Sequence, residues 1–143
     1  MAAGKSEGQI LQLAGMRTVL LPDDPRFPVA LRAIPRPPKR LYVLGDPEAL
    51  AEGLAVVGAR KATPYGIGAA KRFARLAAQR GIAVISGGAR GCDAAAHEAA
   101  LSEGAPTVAF LGGGCDVPYP REHAGLFERI ALSGGAVVSE HAW

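Results

Sequence analysis

The chain has 143 residues, 49% of them hydrophobic, 20% charged and 6% aromatic, with 19 Gly, 11 Pro and 2 Cys. That length fits one globular domain, and the apolar fraction excludes wholesale disorder. No apolar run approaches the roughly 20 residues of a membrane span, and the polar start Met1-Ala-Ala-Gly-Lys-Ser-Glu-Gly has no secretory h-region, so a cytoplasmic protein with no membrane partner is expected. Cys92 and Cys115 sit in Gly-rich segments without a second metal-type pair, and read as reduced thiols.

The net charge of +3 hides an asymmetry, since residues 1–80 carry 13 Lys/Arg against 6 Asp/Glu and residues 81–143 carry 3 against 7. Two stretches are basic with no acid inside them. The first holds Arg26, Arg32, Arg36, Lys39 and Arg40; the second holds Arg60, Lys61, Lys71, Arg72, Arg75 and Arg80. Such runs permit a polyanionic partner and equally suit a solvated face.

In chain order, residues 1–18 have weak periodicity and are expected to form a flexible arm or a short helix. Residues 19–53 form a Pro-rich entry segment, with Pro22, Pro25, Pro28, Pro35, Pro37 and Pro38. Each proline removes a donor and steers the residue before it away from helix, so only a turn around Val29 to Ala33 fits. Leu41-Tyr-Val-Leu-Gly then reads as a strand closed by glycine. From 54 to 143 the pattern becomes regular. Strands are predicted at Leu54–Val57, Ile82–Ser86, Thr107–Leu111 and Ala136–Ser139, and helices at Gly66–Arg80, Asp93–Ser102 and Arg121–Leu132. The first helix places Ile67, Ala70, Phe73, Ala74 and Ala77 on one face, and Asp93 stands where an N-cap would open the second. Strand–helix alternation at this spacing means βαβ units: an α/β, Rossmann-like three-layer fold with a mostly parallel sheet. Its strands are apolar without alternation, as both-face burial requires.

Three strands end in glycine and polar residues: Gly58-Ala-Arg60-Lys61, Ser86-Gly87-Gly88-Ala-Arg90-Gly91 and Gly112-Gly113-Gly114-Cys115-Asp116. In a parallel sheet these ends share one edge, where open α/β sheets bind ligands. Glycine lets backbone N–H groups approach an anion, and Arg60 and Arg90 would add fixed charge, so a shared phosphate site is expected. The alternative is that the glycines only make tight turns. Gly66-Ile-Gly68 follows no strand directly and lacks a third glycine at dinucleotide spacing, and no Walker pattern exists, so no cofactor is expected. Asp93 and His97 are four apart on a helix and could face each other, but a capping Asp and a half-buried His are the favoured reading. Cys92 at a helix start reads as a small core residue. His97, His123 and His141 have no metal spacing, and no catalytic set stands out.

The ordered motifs Val56-Val-Gly-Ala-Arg-Lys-Ala-Thr-Pro-Tyr-Gly66, Ile85-Ser-Gly-Gly-Ala-Arg-Gly-Cys-Asp-Ala-Ala-Ala-His97, Leu111-Gly-Gly-Gly-Cys-Asp-Val-Pro-Tyr-Pro-Arg-Glu122 and Val138-Ser-Glu140 resemble the DprA/Smf family of DNA-processing proteins. Asp24-Pro-Arg-Phe-Pro28 and the stretch Pro37 to Asp46 resemble that family's entry to its core, so the resemblance runs over about residues 19–141. It implies a protein that binds and protects single-stranded DNA and helps to load the recombinase RecA in natural transformation, without an established enzymatic activity. By position, Arg60 matches the arginine of the family's Gly-x-Arg DNA-binding motif, and Arg121 matches a basic position that contacts the strand. Gly58, Ser86, Gly87, Gly88 and Arg90 fall in the same pocket, which with Lys61, Gly112 and Gly113 completes the expected DNA and phosphate site.

Cys92 replaces the family's usual apolar β-branched residue. The chain resembles the N-terminal part of the family's core and stops where the family continues, so a truncated core without the usual dimer surface is expected. Two other readings share the same pocket. One is a small-nucleotide sensor; the other is an enzyme like those that cleave nucleoside monophosphates at the glycosidic bond. The latter carry Pro-Gly-Gly-x-Gly-Thr-x-x-Glu, whereas this chain has Leu111-Gly-Gly-Gly-Cys-Asp.

Overall fold

The computed structural model describes residues 12–143; the first eleven residues of the expected arm lie outside the described residues. Six strands form one sheet: β1 (Arg17–Leu20), β2 (Leu41–Gly45), β3 (Gly53–Ala55), β4 (Ala83–Ser86), β5 (Thr107–Phe110) and β6 (Ala136–Ser139). Their order is β1-β2-β6-β5-β4-β3, with β3 to β6 parallel and β2 antiparallel to both β1 and β6. The helices are α1 (Val29–Arg32), α2 (Pro64–Gln79), α3 (Cys92–Ser102) and α4 (Ala124–Leu132), with 3-10 turns at Pro47–Ala49 and Arg121–His123.

The α/β class and the parallel core are as expected. β1 is not, because a four-residue strand flanked by Gly15 and Pro22 has too little periodicity to stand out. Its partner β2 supplies the signal, pairing Leu20 with Leu41 and Arg17 with Leu44. The strand expected from Leu54 is shorter and earlier, at Gly53–Ala55, and only the Val56 N–H continues the ladder, to the Ile85 carbonyl at 2.9 Å. α2 opens two residues early because Thr63 caps it, its hydroxyl accepting from the Gly66 N–H at 3.1 Å, with Pro64 in the first turn. α3 opens at Cys92 on Gly91, so Asp93 is not its N-cap.

β3 to β6 lie side by side in chain order, and right-handed crossovers between such neighbours bring every connecting helix to one face. Val84 packs with Ala74, Ala77, Ala96 and Ala100, while Ala109 and Val137 pack with Leu126, Phe127 and Ile130. The register sets Ser86 beside Ala109 and Ala109 beside Val137, so α2, α3 and α4 share this face. Alanines along α2 and α3 let their axes lie close. That stripe runs through Ala70, Ala74, Ala77 and Ala78, which leaves Phe73 59% exposed at the rim beside Leu54, Leu76 and Ile82.

The third layer is the Pro-rich entry segment and contains no long helix. Phe27 covers Leu20, Leu41, Val43, Val108 and Val138, with Leu31, Ala49 and Leu50 at its margin. Between this segment and Ile85, Val108 and Phe110 lies a groove of about 830 Å³, and none of the expected site residues lines it. Both cysteines are buried and free; burial pushes the Cys115 thiol up to about 12.

His97 is fully buried, and the Asp93 carboxylate accepts from the Gly87 N–H while the imidazole turns to Thr107. The Thr107 hydroxyl donates to the Val84 carbonyl at 2.7 Å, so the imidazole Nδ1–H donates to that hydroxyl at 2.8 Å. Nε2 is left without a partner among the described residues. Burial lowers the His97 pKa from 6.5 to about 4. Between those values the unfolded chain holds more protons, so the neutral ring's contribution is complete above about pH 6.5 and is lost as pH falls toward 4. The expected loss is at most about 3 kcal/mol. Urea unfolding at pH 7 and pH 5 should show it, and a His97→Gln variant should lose most of the dependence; an unchanged dependence would assign it to another group.

Candidate functional site

The carboxyl ends of β3, β4 and β5 leave the sheet at one edge and continue into three loops: residues 56–63, 87–91 and 111–120. The first loop is held on the second by glycine. Gly91 has φ +80°, and a Cβ there would collide with the carbonyls of Ala59 and Arg60. The Cys92 N–H donates to the Ala59 carbonyl at 3.3 Å, and the Cys92 thiol packs where a side chain at Gly58 would stand. Arg60 and Lys61 are thereby carried on a pinned backbone with both side chains exposed, and among the described residues neither has an ion pair.

The second loop faces inward. Ser86 is buried and donates its hydroxyl to the Val56 carbonyl at 2.5 Å, stitching β4 to the first loop. The Gly87 N–H donates to the Asp93 carboxylate at 3.0 Å, which is the role Asp93 takes in place of capping. Gly88, at φ +72°, is buried against the Phe127 ring, and its carbonyl accepts from His123 Nδ1–H at 2.9 Å. Arg90 turns outward and meets Glu122, with Nε 2.6 Å from the carboxylate oxygen; the guanidinium also lies 5.8 Å from the Tyr119 ring centre. Glu122 first, then Tyr119, raise the Arg90 pKa. Glu122 itself is held low by its own backbone N–H and then by Arg90.

In the third loop Gly112 and Gly113 are exposed, while Gly114, Cys115 and Asp116 are buried. Asp116 anchors the loop: it pairs with Arg17 from β1 and accepts from the Leu13 N–H at 3.3 Å. Arg17 in turn lies 5.5 Å from the Trp143 ring centre. Past the loop, Tyr119 is 67% exposed, and Arg121 is exposed in the 3-10 turn that leads into α4.

Of the expected residues, the structure brings Gly58, Arg60, Lys61, Arg90, Gly112, Gly113 and Arg121 to the surface of this edge. Ser86, Gly87 and Gly88 spend their polar groups or their lack of a side chain on holding the loops together. Two residues escaped sequence reasoning. Glu122, the Arg90 partner, lies 32 positions away and nothing local signals it. Tyr119 had a visible cue, an aromatic residue inside a glycine and proline loop. Among the described residues no three His, Cys, Asp or Glu side chains group as a metal site, and no helix is long and apolar enough to cross a membrane.

The edge thus presents cations over exposed glycine backbone, an arrangement suited to phosphates. Comparison with known proteins places the chain in a family. A family model described as DNA recombination-mediator protein A matches residues 18–143. The protein Smf of Escherichia coli is 42% identical over 123 residues, covering 85% of this chain and 33% of its own length. The chain spans about a third of the length of the curated relatives it matches. Among solved structures, DNA processing protein A (DprA) from Streptococcus pneumoniae superposes with a TM-score of 0.77 at 30% identity, covering 87% of this chain and 44% of that one. DNA processing protein A from Helicobacter pylori, described for its single-stranded DNA binding mode, gives a TM-score of 0.77 at 31% identity, covering 90% and 57%. The motifs that line the carboxyl edge therefore sit on the fold of their relatives, and the chain belongs to the DprA/Smf family of DNA recombination mediators.

Proposed function

We propose that this chain is a single-stranded DNA-binding module whose carboxyl sheet edge takes the phosphates of the strand. The observation that carries the reading is the gathering of Arg60, Lys61, Arg90 and Arg121 with the exposed backbone of Gly112 and Gly113 on one edge. Phosphate contacts fix a strand in place, and aromatic faces such as Tyr119 and Tyr65, both exposed, suit stacked bases. Gly58 supports the site by letting the first loop lie on Cys92; Ser86, Gly87 and Gly88 support it by holding the second loop in shape. The role is binding and protection in the cytoplasm. Delivery of the strand to RecA, and any homodimer, follow from the family resemblance.

A non-catalytic role is supported by the commitments of the reactive-looking groups. His97 is buried on Thr107, Asp93 holds the Gly87 N–H, and Ser86 holds the Val56 carbonyl. Strand length separates this reading from a nucleotide sensor, because a strand binder tightens as the oligonucleotide grows and a sensor does not.

Two outcomes test it. Affinity for oligo-dT should fall with salt along a slope of about −0.7 per phosphate contacted, and Arg60→Ala should lower the affinity and remove about one such increment. Salt-insensitive binding with a silent Arg60→Ala would end the reading. Because Glu122 already pairs with Arg90, a phosphate there competes with a carboxylate for the guanidinium. Glu122→Gln should therefore tighten oligo-dT binding, by up to about fivefold. If fluorescence anisotropy shows weaker binding instead, the ion pair orients Arg90 for the strand rather than competing with it.

A further inference from the structure

The edge that carries the three loops does not end at β5. β6 lies parallel to β5, and β2 runs antiparallel to β6 with Tyr42 opposite Ser139. The start of β2 therefore stands at the carboxyl end of β6, on the same edge as the loops. Immediately before β2 the chain reads Arg36-Pro37-Pro38-Lys39-Arg40. Its three cations are exposed, and none has an ion pair among the described residues.

The other two arginines of this acid-free segment are used differently. Arg26 makes a two-pronged contact with Asp24, both prongs at 3.0 Å, and Arg32 donates to the Asp24 carbonyl at 2.7 Å. Folding consumes these two and leaves the three nearest β2 unused. Pro35, Pro37 and Pro38 limit the backbone on which those three are displayed, so less freedom is lost when an anion docks. With strands about 4.8 Å apart, four steps from β3 to β2 put this triplet about 19 Å from the first loop. Glu140 and His141 lie between, just past β6, and the triplet outweighs that single acid. Asp23 and Asp24, past the end of β1, close the basic rim on its far side.

We propose that Arg36, Lys39 and Arg40 form a second phosphate-contact patch that extends the strand-binding track across β6 to β2. The inference rests on the strand-binding reading above. It gives the track a length: short strands occupy the three loops, and longer ones reach the patch.

The test is oligo-dT titration by fluorescence anisotropy with strands of about 4 to about 16 nucleotides, the range of site sizes in other strand-binding folds. Wild type, Arg60→Ala and the double variant Lys39→Ala/Arg40→Ala are compared, with thermal melting to confirm that the exposed substitutions leave the fold intact. On the longest strands the double variant should lose about 1.4 from the salt slope, so that between 50 and 200 mM salt wild-type affinity falls about sevenfold further than the variant's. On the shortest strands the two should match. A double variant identical to wild type at every length overturns the patch while leaving the strand-binding reading to Arg60→Ala. Equal loss at every length also overturns it, since that is general charge and not a track. Wild-type protein that binds no strand, or binds without regard to length, overturns the underlying reading and the patch together.

Discussion

Four parallel strands laid side by side in chain order admit only one arrangement of what connects them. Their helices fall on one face, and the loops leaving their carboxyl ends fall on one edge. The candidate site depends on that constraint. Arg60, Arg90 and Arg121 are far apart in sequence, on connections that share no local signal, and they meet because β3, β4 and β5 point the same way. The antiparallel entry of β2 extends the edge, because a strand running the other way begins where its neighbour stops.

Within this frame the charges divide into two populations. Arg17 on Asp116, Arg26 on Asp24 and Arg129 on Glu98 are engaged with acids, the first of them partly buried and anchoring the third loop. Arg36, Lys39, Arg40, Arg60 and Lys61 are exposed without such partners among the described residues. Arg90 belongs to both groups, being outward-facing and already bound to Glu122. A basic composition by itself says little; which cations folding has left over says more.

The sequence made the parallel core legible because each of its strands is followed by a glycine turn and an amphipathic or alanine-rich helix. It also pointed to the carboxyl edge, since Gly58-Ala-Arg60 and Gly112-Gly113 remain on the surface. What it could not show was decided by partners distant in the chain. β1 exists because Leu41 to Leu44 pair with it, and Phe73 is exposed because the α2–α3 contact is built from alanines. Ser86, Gly87 and Gly88 read as ligand contacts because glycine at a strand end looks alike whether it frees an N–H for a phosphate or clears space for Phe127. Asp93 looked like a cap until the carbonyls of Ala59 and Arg60 placed Gly91 at the helix start.

β3 is three exposed residues long and has one neighbour among the described strands. The loop bearing Arg60 is fastened to the molecule by that short ladder, by Ser86 and by the seat over Gly91. Arg60 thus follows the shortest strand of the sheet, one that lies at its border, and owes its fixed place to these few contacts. An anion that bridges Arg60 to Arg90 would clamp this margin to β4 and α3, so that occupancy and the mechanical integrity of the sheet's border rise together.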